Sequence, residues 1–136
     1  MPPALLDTDI LSELIKRRDA AVQHHAMAYA RQHGRLAFSA ITRYEVARGY
    51  AQRAATVQMA RFAVFCQQSL ILPISDTILD RAADLWAFAR NHGHPHNDAD
   101  LIIAATAVEN GRSLVTGNTS HFAWIPGLVL TDSRLP

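Results

Sequence analysis

Ala4-Leu5-Leu6-Asp7-Thr8-Asp9-Ile10-Leu11 is the stretch from which the fold can be read. An apolar run meets two carboxylates and then passes into a helical pattern. A short apolar run that stops at an acid has the form of a buried strand, one that delivers Asp7 to the C-terminal edge of a sheet. In open α/β sheets that edge is where ligands bind. Thr8 or Asp9 can cap the helix that follows, from about Ile10 to Lys16, with Ile10, Leu11, Leu14 and Ile15 on the helical period.

The same alternation continues along the chain. Asp19 can cap a helix over Ala20 to Gln32 that Gly34 ends. Leu36-Ala37-Phe38 is a strand candidate, and Ser39-Ala40-Ile41-Thr42-Arg43-Tyr44-Glu45 opens another helix, in which Thr42 and Glu45 have capping-box spacing. A helical pattern runs from about Ala54 to Gln67. Leu70 to Ile74 is a strand that Pro73 makes short or edge-like. Ser75 or Asp76 caps a helix that stops at Gly93, and His92 to Asn97 is a polar loop.

Asp98-Ala99-Asp100 then opens a helix, Leu101 to Val108, that is apolar nearly all round and belongs at the centre of the domain. Ser113 to Thr116 is a strand, Gly117 to Ser120 a turn, and Gly127 to Thr131 a final strand. Alternating β and α elements predict a three-layer α/β/α sandwich with a central, mainly parallel sheet.

The length of 136 residues fits one domain, 1–136, and 49% hydrophobic residues suffice for a core. Net charge is +1, so no global charge argues for nucleic acid. Lys16 is the only lysine, and the remaining basic residues are arginines, as a GC-rich genome also produces. Cys66 stands alone in an apolar segment, which excludes an internal disulfide and a cysteine zinc site and fits a core thiol. No signal peptide and no membrane-length apolar run are present, so a soluble, cytoplasmic protein is expected.

Four features fall at element junctions: Asp7, Glu45, the pair Asp98 and Asp100, and the pair Thr116 and Asn118. Each has a plain structural reading. Asp7 or Asp9 can simply cap a helix, Glu45 can complete the Thr42 capping box, and Asp98 and Asp100 can favour a helix N-terminus. Taken together they suggest one acidic pocket. Carboxylates brought close together repel, and a divalent cation with a taste for hard oxygen ligands, Mg²⁺ or Mn²⁺, resolves the conflict. Such a pocket suits phosphodiester hydrolysis.

The order and spacing of these residues resemble the PIN-domain family, and within it the VapC-type toxins of bacterial toxin–antitoxin pairs. The matching blocks are Leu5 to Asp9, Ser39 to Glu45, Asp98 to Ala107, Leu114 to Phe122 and the tail Ile125 to Leu130; the block from Asp100 to Ala107 is the most specific. The resemblance implies a Mg²⁺-dependent endoribonuclease in which Asp7, Glu45 and Asp100 are the three core acids. Asp7 and Asp100 would be the principal metal ligands, and Glu45 would complete the pocket and orient the attacking water. Asp98 stands beside them as an auxiliary acid. Thr116 matches a family threonine, and Asn118 takes a place where many members carry a fourth acid, an amide that brings no charge for a second metal. Asp9 stands where Asn is frequent. Arg43 and Arg48, on the Glu45 helix, can hold RNA phosphates or be solvated charges. Members of the family cut tRNA or rRNA, form homodimers, are silenced by a small antitoxin protein, and bind operator DNA through the antitoxin complex.

Two other readings start from the same residues. Asp7-Thr8-Asp9 after an apolar strand looks like the first motif of haloacid-dehalogenase-like phosphohydrolases, with Asp7 as nucleophile. That chemistry needs a downstream lysine, and none follows Lys16. A catalytically inactive PIN-like binding module is the non-enzymatic alternative. Of the histidines, His94 and His96 can form a borderline-soft metal site, but an exposed loop His92–His96 is the simpler expectation; His121 can touch the rim of the pocket. Phe62, Phe65, Trp86 and Phe88 read as core or dimer surface rather than base-stacking platforms.

Overall fold

A computed structural model of the chain describes residues 2–93 and 95–133. Its centre is a sheet of very short strands. β1 (Ala4–Leu6) lies between β2 (Ala37–Ser39) and β4 (Ser113–Val115), while β3 (Leu70–Leu72) and β5 (Leu130–Thr131) form the edges. The order is β3-β2-β1-β4-β5 and every neighbouring pair is parallel. β3 is an edge strand and Pro73 follows it directly, as a residue without a backbone N–H requires.

Successive side chains of a strand point to opposite faces, and this divides the core in two. Leu5, Ala37 and Leu114 face one side, where they pack with α5 (Asp76–Asn91) and α6 (Asp98–Glu109). Ala4, Leu6, Phe38 and Val115 face the other, against α1 (Thr8–Lys16), α2 (Ala20–His33) and α4 (Thr56–Gln67). α3 (Ala40–Gln52) packs along α4, and its Val46, Ala47 and Tyr50 join the second core. The result is the expected three-layer α/β/α arrangement with a parallel sheet. α6 is buried as its composition requires: Ile103, Ala104, Ala105 and Ala107 are fully covered, and the small alanines let it lie close to its neighbours. Burial of each large side chain such as Leu5 or Phe38 is worth about 1.5–3 kcal/mol.

Connectivity decides where ligands fit. From β1 the chain builds outward through β2 to β3, then returns to the other side of β1 for β4 and β5. The direction of winding therefore reverses between β1 and β4, and the crevice beyond their C-terminal ends is the natural binding position of such a sheet.

Several local expectations are corrected. Of the three candidate caps of α1, Thr8 and Asp9 are excluded and Asp7 takes the position, because the helix starts at Thr8. Ser39, not Thr42, caps α3 through the Ile41 N–H, which leaves Thr42 inside the first turn and fully buried. The expected Thr42–Glu45 capping box is therefore absent. α4 starts at Thr56 because Ala54 turns through the left-handed region at φ 50°, a conformation no helix accommodates. The expected turn at Gly117–Ser120 partly becomes a short helix, α7 (Thr119–Phe122). The last strand is shorter than expected, since Gly127, at φ 76°, turns the chain and only Leu130–Thr131 is assigned to the ladder with β4.

Candidate active site

Asp7 is the first residue beyond β1, and only 6% of it is exposed. Its backbone is fixed by the sheet, the N–H donating to the Val115 carbonyl at 2.9 Å. Its carboxylate is fixed as well: Oδ1 accepts from the Thr8 N–H at 2.8 Å and Oδ2 from the Thr116 hydroxyl at 2.8 Å. Thr116 is fully buried one residue past β4, and its own hydroxyl accepts from the Asn118 N–H at 3.1 Å. Burial pushes the Asp7 carboxyl up to about 7, and the charge of Asp9 adds to the push. The hydrogen bonds from Thr116 and Thr8 work against it, and Asp100 adds a smaller upward contribution. Asp7, Asp9 and Asp100 thus share one electrostatic neighbourhood.

Asp9 does more than shape the helix start. One oxygen accepts from the Ile10 N–H at 2.7 Å and the other from the Gly117 N–H at 3.2 Å, which ties the first turn of α1 to the turn after β4. Glu45 reaches the same region through Thr8. The Thr8 hydroxyl lies 2.7 Å from Glu45 Oε1 and 3.1 Å from the Thr42 hydroxyl. A hydroxyl has one hydrogen and a carboxylate only accepts, so Thr8 donates to Glu45. The bond from Thr8 to Glu45 is the feature of the site that sequence reasoning missed. In the sequence Thr8 is a cap candidate and a member of the Leu5 to Asp9 block, and its place between two acids is the one local signal of this bond.

The remaining candidates separate clearly. Asp100, in the first turn of α6, is half-buried, and its Oδ2 lies 3.1 Å from His121 Nε2. Asp98, two residues earlier, is exposed and lines a surface groove between α5 and α6 with Leu79, Trp86 and Ile102. Asn118 is exposed; its side-chain oxygen accepts from the Ser120 hydroxyl at 3.4 Å. Arg48 places a nitrogen 3.6 Å from Glu45 Oε2, with its guanidinium over the Tyr44 ring. Arg43 lies beside Cys66 of α4; burial pushes that thiol's pKa up, and Arg43 acts in the other direction.

The expected loop of exposed histidines holds only in part. His92 is exposed and stacks on Phe88. His94 lies outside the described residues. His96 is half-buried, with Nδ1 3.0 Å from His121 Nε2. Of the aromatics, Phe62 is core, whereas Trp86 and Phe88 lie on the surface.

The donors suit a hard divalent cation. Hydrogen bonds from Thr8 and Thr116 use one lone pair on each Asp7 oxygen, which leaves one on each for a further partner. Burial, and after it repulsion from Asp9 and Asp100, raises the Asp7 pKa, and a bound cation offsets both. Asp7, Glu45 and Asp100 do not draw together as tightly as a closed cage; among the described residues, the one trio of His, Cys, Asp or Glu with ligand atoms within 4.8 Å of one another is His96, Asp100 and His121. Mg²⁺ tolerates the wider spacing, since it keeps several waters and takes one or two carboxylates.

The PIN domain family model matches residues 4–126. No curated protein matches the sequence. Among solved structures, the chain is similar to one from a toxin–antitoxin complex of Klebsiella pneumoniae, at 30% identity over 96% of this chain and 97% of that one, with a TM-score of 0.74. It shares the fold of a chain in DNA-bound VapBC from Salmonella typhimurium, at 24% identity, 98% and 99% coverage and a TM-score of 0.85. The same holds for VapBC2 of Rickettsia felis bound to a promoter DNA fragment, at 22% identity, 95% and 97% coverage and a TM-score of 0.85.

Proposed function

The chain belongs to the PIN-domain family, and from that premise we propose that it is a Mg²⁺-dependent endoribonuclease acting as the toxin of a toxin–antitoxin pair. The observation that carries this reading is Asp7. A carboxyl buried at the switch point of a parallel sheet, its pKa raised first by that burial and then by Asp9 and Asp100, is costly to ionise, and a cation offsets that cost.

In this reading Asp7 and Asp100 hold the cation, which is Mg²⁺ or Mn²⁺. When bound, the ion supplies a positive centre that makes a water more acidic and offsets phosphate charge. Thr116 and Thr8 keep the Asp7 carboxylate in one orientation. Glu45, held by the Thr8 hydroxyl, takes the proton from the water that attacks phosphorus. Asp9 adds negative charge to the pocket and Asn118 an uncharged amide at its rim. Hydrolysis adds one water across a P–O bond, giving one fragment with a hydroxyl and one with a phosphate. Arg48, beside Glu45, is placed to pair with an RNA phosphate. Arg43 is engaged with Cys66 and is the weaker of the two arginine candidates.

Structured RNA, tRNA or rRNA, is the proposed substrate. A small antitoxin is the proposed partner, and operator DNA would be reached only through that complex, by analogy with the DNA-bound VapBC assemblies. A homodimer completes the proposal. No helix among the described residues is long and apolar enough to cross a membrane. The test is cleavage of a total tRNA and rRNA pool by the purified chain, freed of antitoxin, with Mg²⁺ or Mn²⁺. Cleavage that disappears in Asp7→Asn and Asp100→Ala supports the reading. No cleavage, together with cellular toxicity that survives Asp7→Asn, overturns it in favour of a binding module.

A further inference from the structure

Three side chains from three segments converge beside the acidic pocket: His96 from the loop before α6, Asp100 from α6 and His121 from α7. His121 Nε2 lies 3.0 Å from His96 Nδ1 and 3.1 Å from Asp100 Oδ2. A ring nitrogen carries either one hydrogen or one lone pair. As an N–H, His121 Nε2 must divide one proton between two acceptors. As a lone pair it faces a carboxylate oxygen that repels it. A cation ligated by all three atoms removes the conflict. Zinc bonds of ~2.0–2.2 Å in a tetrahedron set donor atoms ~3.3–3.6 Å apart, near the two distances at His121, and all three atoms lie within 4.8 Å of one another.

The rings are held in place. Trp124 Nε1 donates to the His121 backbone carbonyl at 3.1 Å, the His96 ring packs on Trp124 at 5.0 Å, and His121 meets the buried Phe122 edge-on at 5.1 Å. Two imidazoles and one carboxylate favour borderline cations over Mg²⁺, which prefers oxygen alone.

We propose that His96, Asp100 and His121 form a binding site for a zinc-class divalent cation, joined to the acidic pocket through Asp100. The site is read by binding, so it stands or falls independently of the nuclease reading. Tag-free full-length chain, stripped with EDTA, is titrated calorimetrically with ZnCl₂ in excess Mg²⁺. One equivalent is expected to bind to the wild type and to Asp7→Asn, and to bind more than about tenfold more weakly to His96→Gln and to His121→Gln. Unchanged zinc binding in the double histidine variant overturns the proposal. So does zinc binding that Asp7→Asn abolishes while the histidine variants keep it, and so does absence of zinc binding to the wild type. Co²⁺ loaded into the wild type gives a readout free of folding effects: pulsed EPR coupling to imidazole nitrogen is expected, and its absence overturns the site.

Discussion

Asp7 and Asp100 bring the same functional group into the same neighbourhood from unlike footings. Asp7 is built into the sheet: its backbone N–H is bonded to β4, its two oxygens are held by Thr8 and Thr116, and 6% of it is exposed. Asp100 rides on the first turn of a helix, with a quarter of its side chain exposed and His121 beside its carboxylate. The difference teaches how an acidic site divides its labour. The sheet supplies a rigid, desolvated anchor whose charge is expensive. The helix supplies a more exposed carboxylate beside a histidine.

The largest expected effect strikes both footings. Asp7→Asn and Asp100→Ala should each lower Mg²⁺-dependent RNA cleavage by about 10²-fold or more, measured as initial rates. An Asp100 variant that keeps most of its rate would reduce the pocket to Asp7 and its sheet neighbours.

Next in size is a pH effect confined to the sheet footing. The folded Asp7 carboxyl sits near 7 against an ordinary value of 3.8, so between those values the folded chain binds the extra proton. Its contribution to stability is full below about pH 4 and is lost as the pH rises through about 7. In EDTA, thermal unfolding of the wild type should therefore lose ground to Asp7→Asn from about pH 5 to pH 8, by of order 2–4 kcal/mol. Added Mg²⁺ should restore the wild type at the upper end and leave Asp7→Asn unmoved. Parallel pH curves for the two proteins would break the contrast.

Thr116→Val tests the hydroxyl that steadies Asp7. It should cost about 1–3 kcal/mol by stripping a donor from a buried carboxylate. Because that hydrogen bond lowers the Asp7 pKa, its loss should move the EDTA titration to higher pH. The smallest effect is expected at Asp98→Ala. This exposed acid lies in the α5–α6 groove, so stability should change by less than about 0.5 kcal/mol and the cleavage rate should hardly move. A large loss of rate would mean that the first turn of α6 contributes two acids rather than one.

Much of the scaffold was legible because it rests on local patterns. The run Ala4-Leu5-Leu6 is a buried strand, Pro73 marks an edge, and the apolar block after Asp100 lies in the core. Helix starts were less legible, since Asp7, Thr8 and Asp9 are all competent caps and the choice depended on where β1 ends. Asp9 read as a cap, and its bond to Gly117 spans more than a hundred residues that no local pattern reports. The same holds for Thr8 on Glu45 and for His96 against His121. Arg43 and Arg48 looked alike on paper; only the packing of α3 on α4 turns one towards Cys66 and leaves the other beside Glu45.

The bond from Thr116 to Asp7 joins residues 109 positions apart, and this has a consequence for synthesis. A ribosome makes β1 first, yet β4, which borders it, and the hydroxyl that orients its acid follow more than a hundred residues later. Because a domain folds as a unit once its parts have emerged, a nascent fragment that stops short of β4 carries Asp7 without the second wall of the crevice. Until β4 has been made, Asp7 lacks both the Val115 carbonyl that fixes its backbone and the Thr116 hydroxyl that orients its carboxylate.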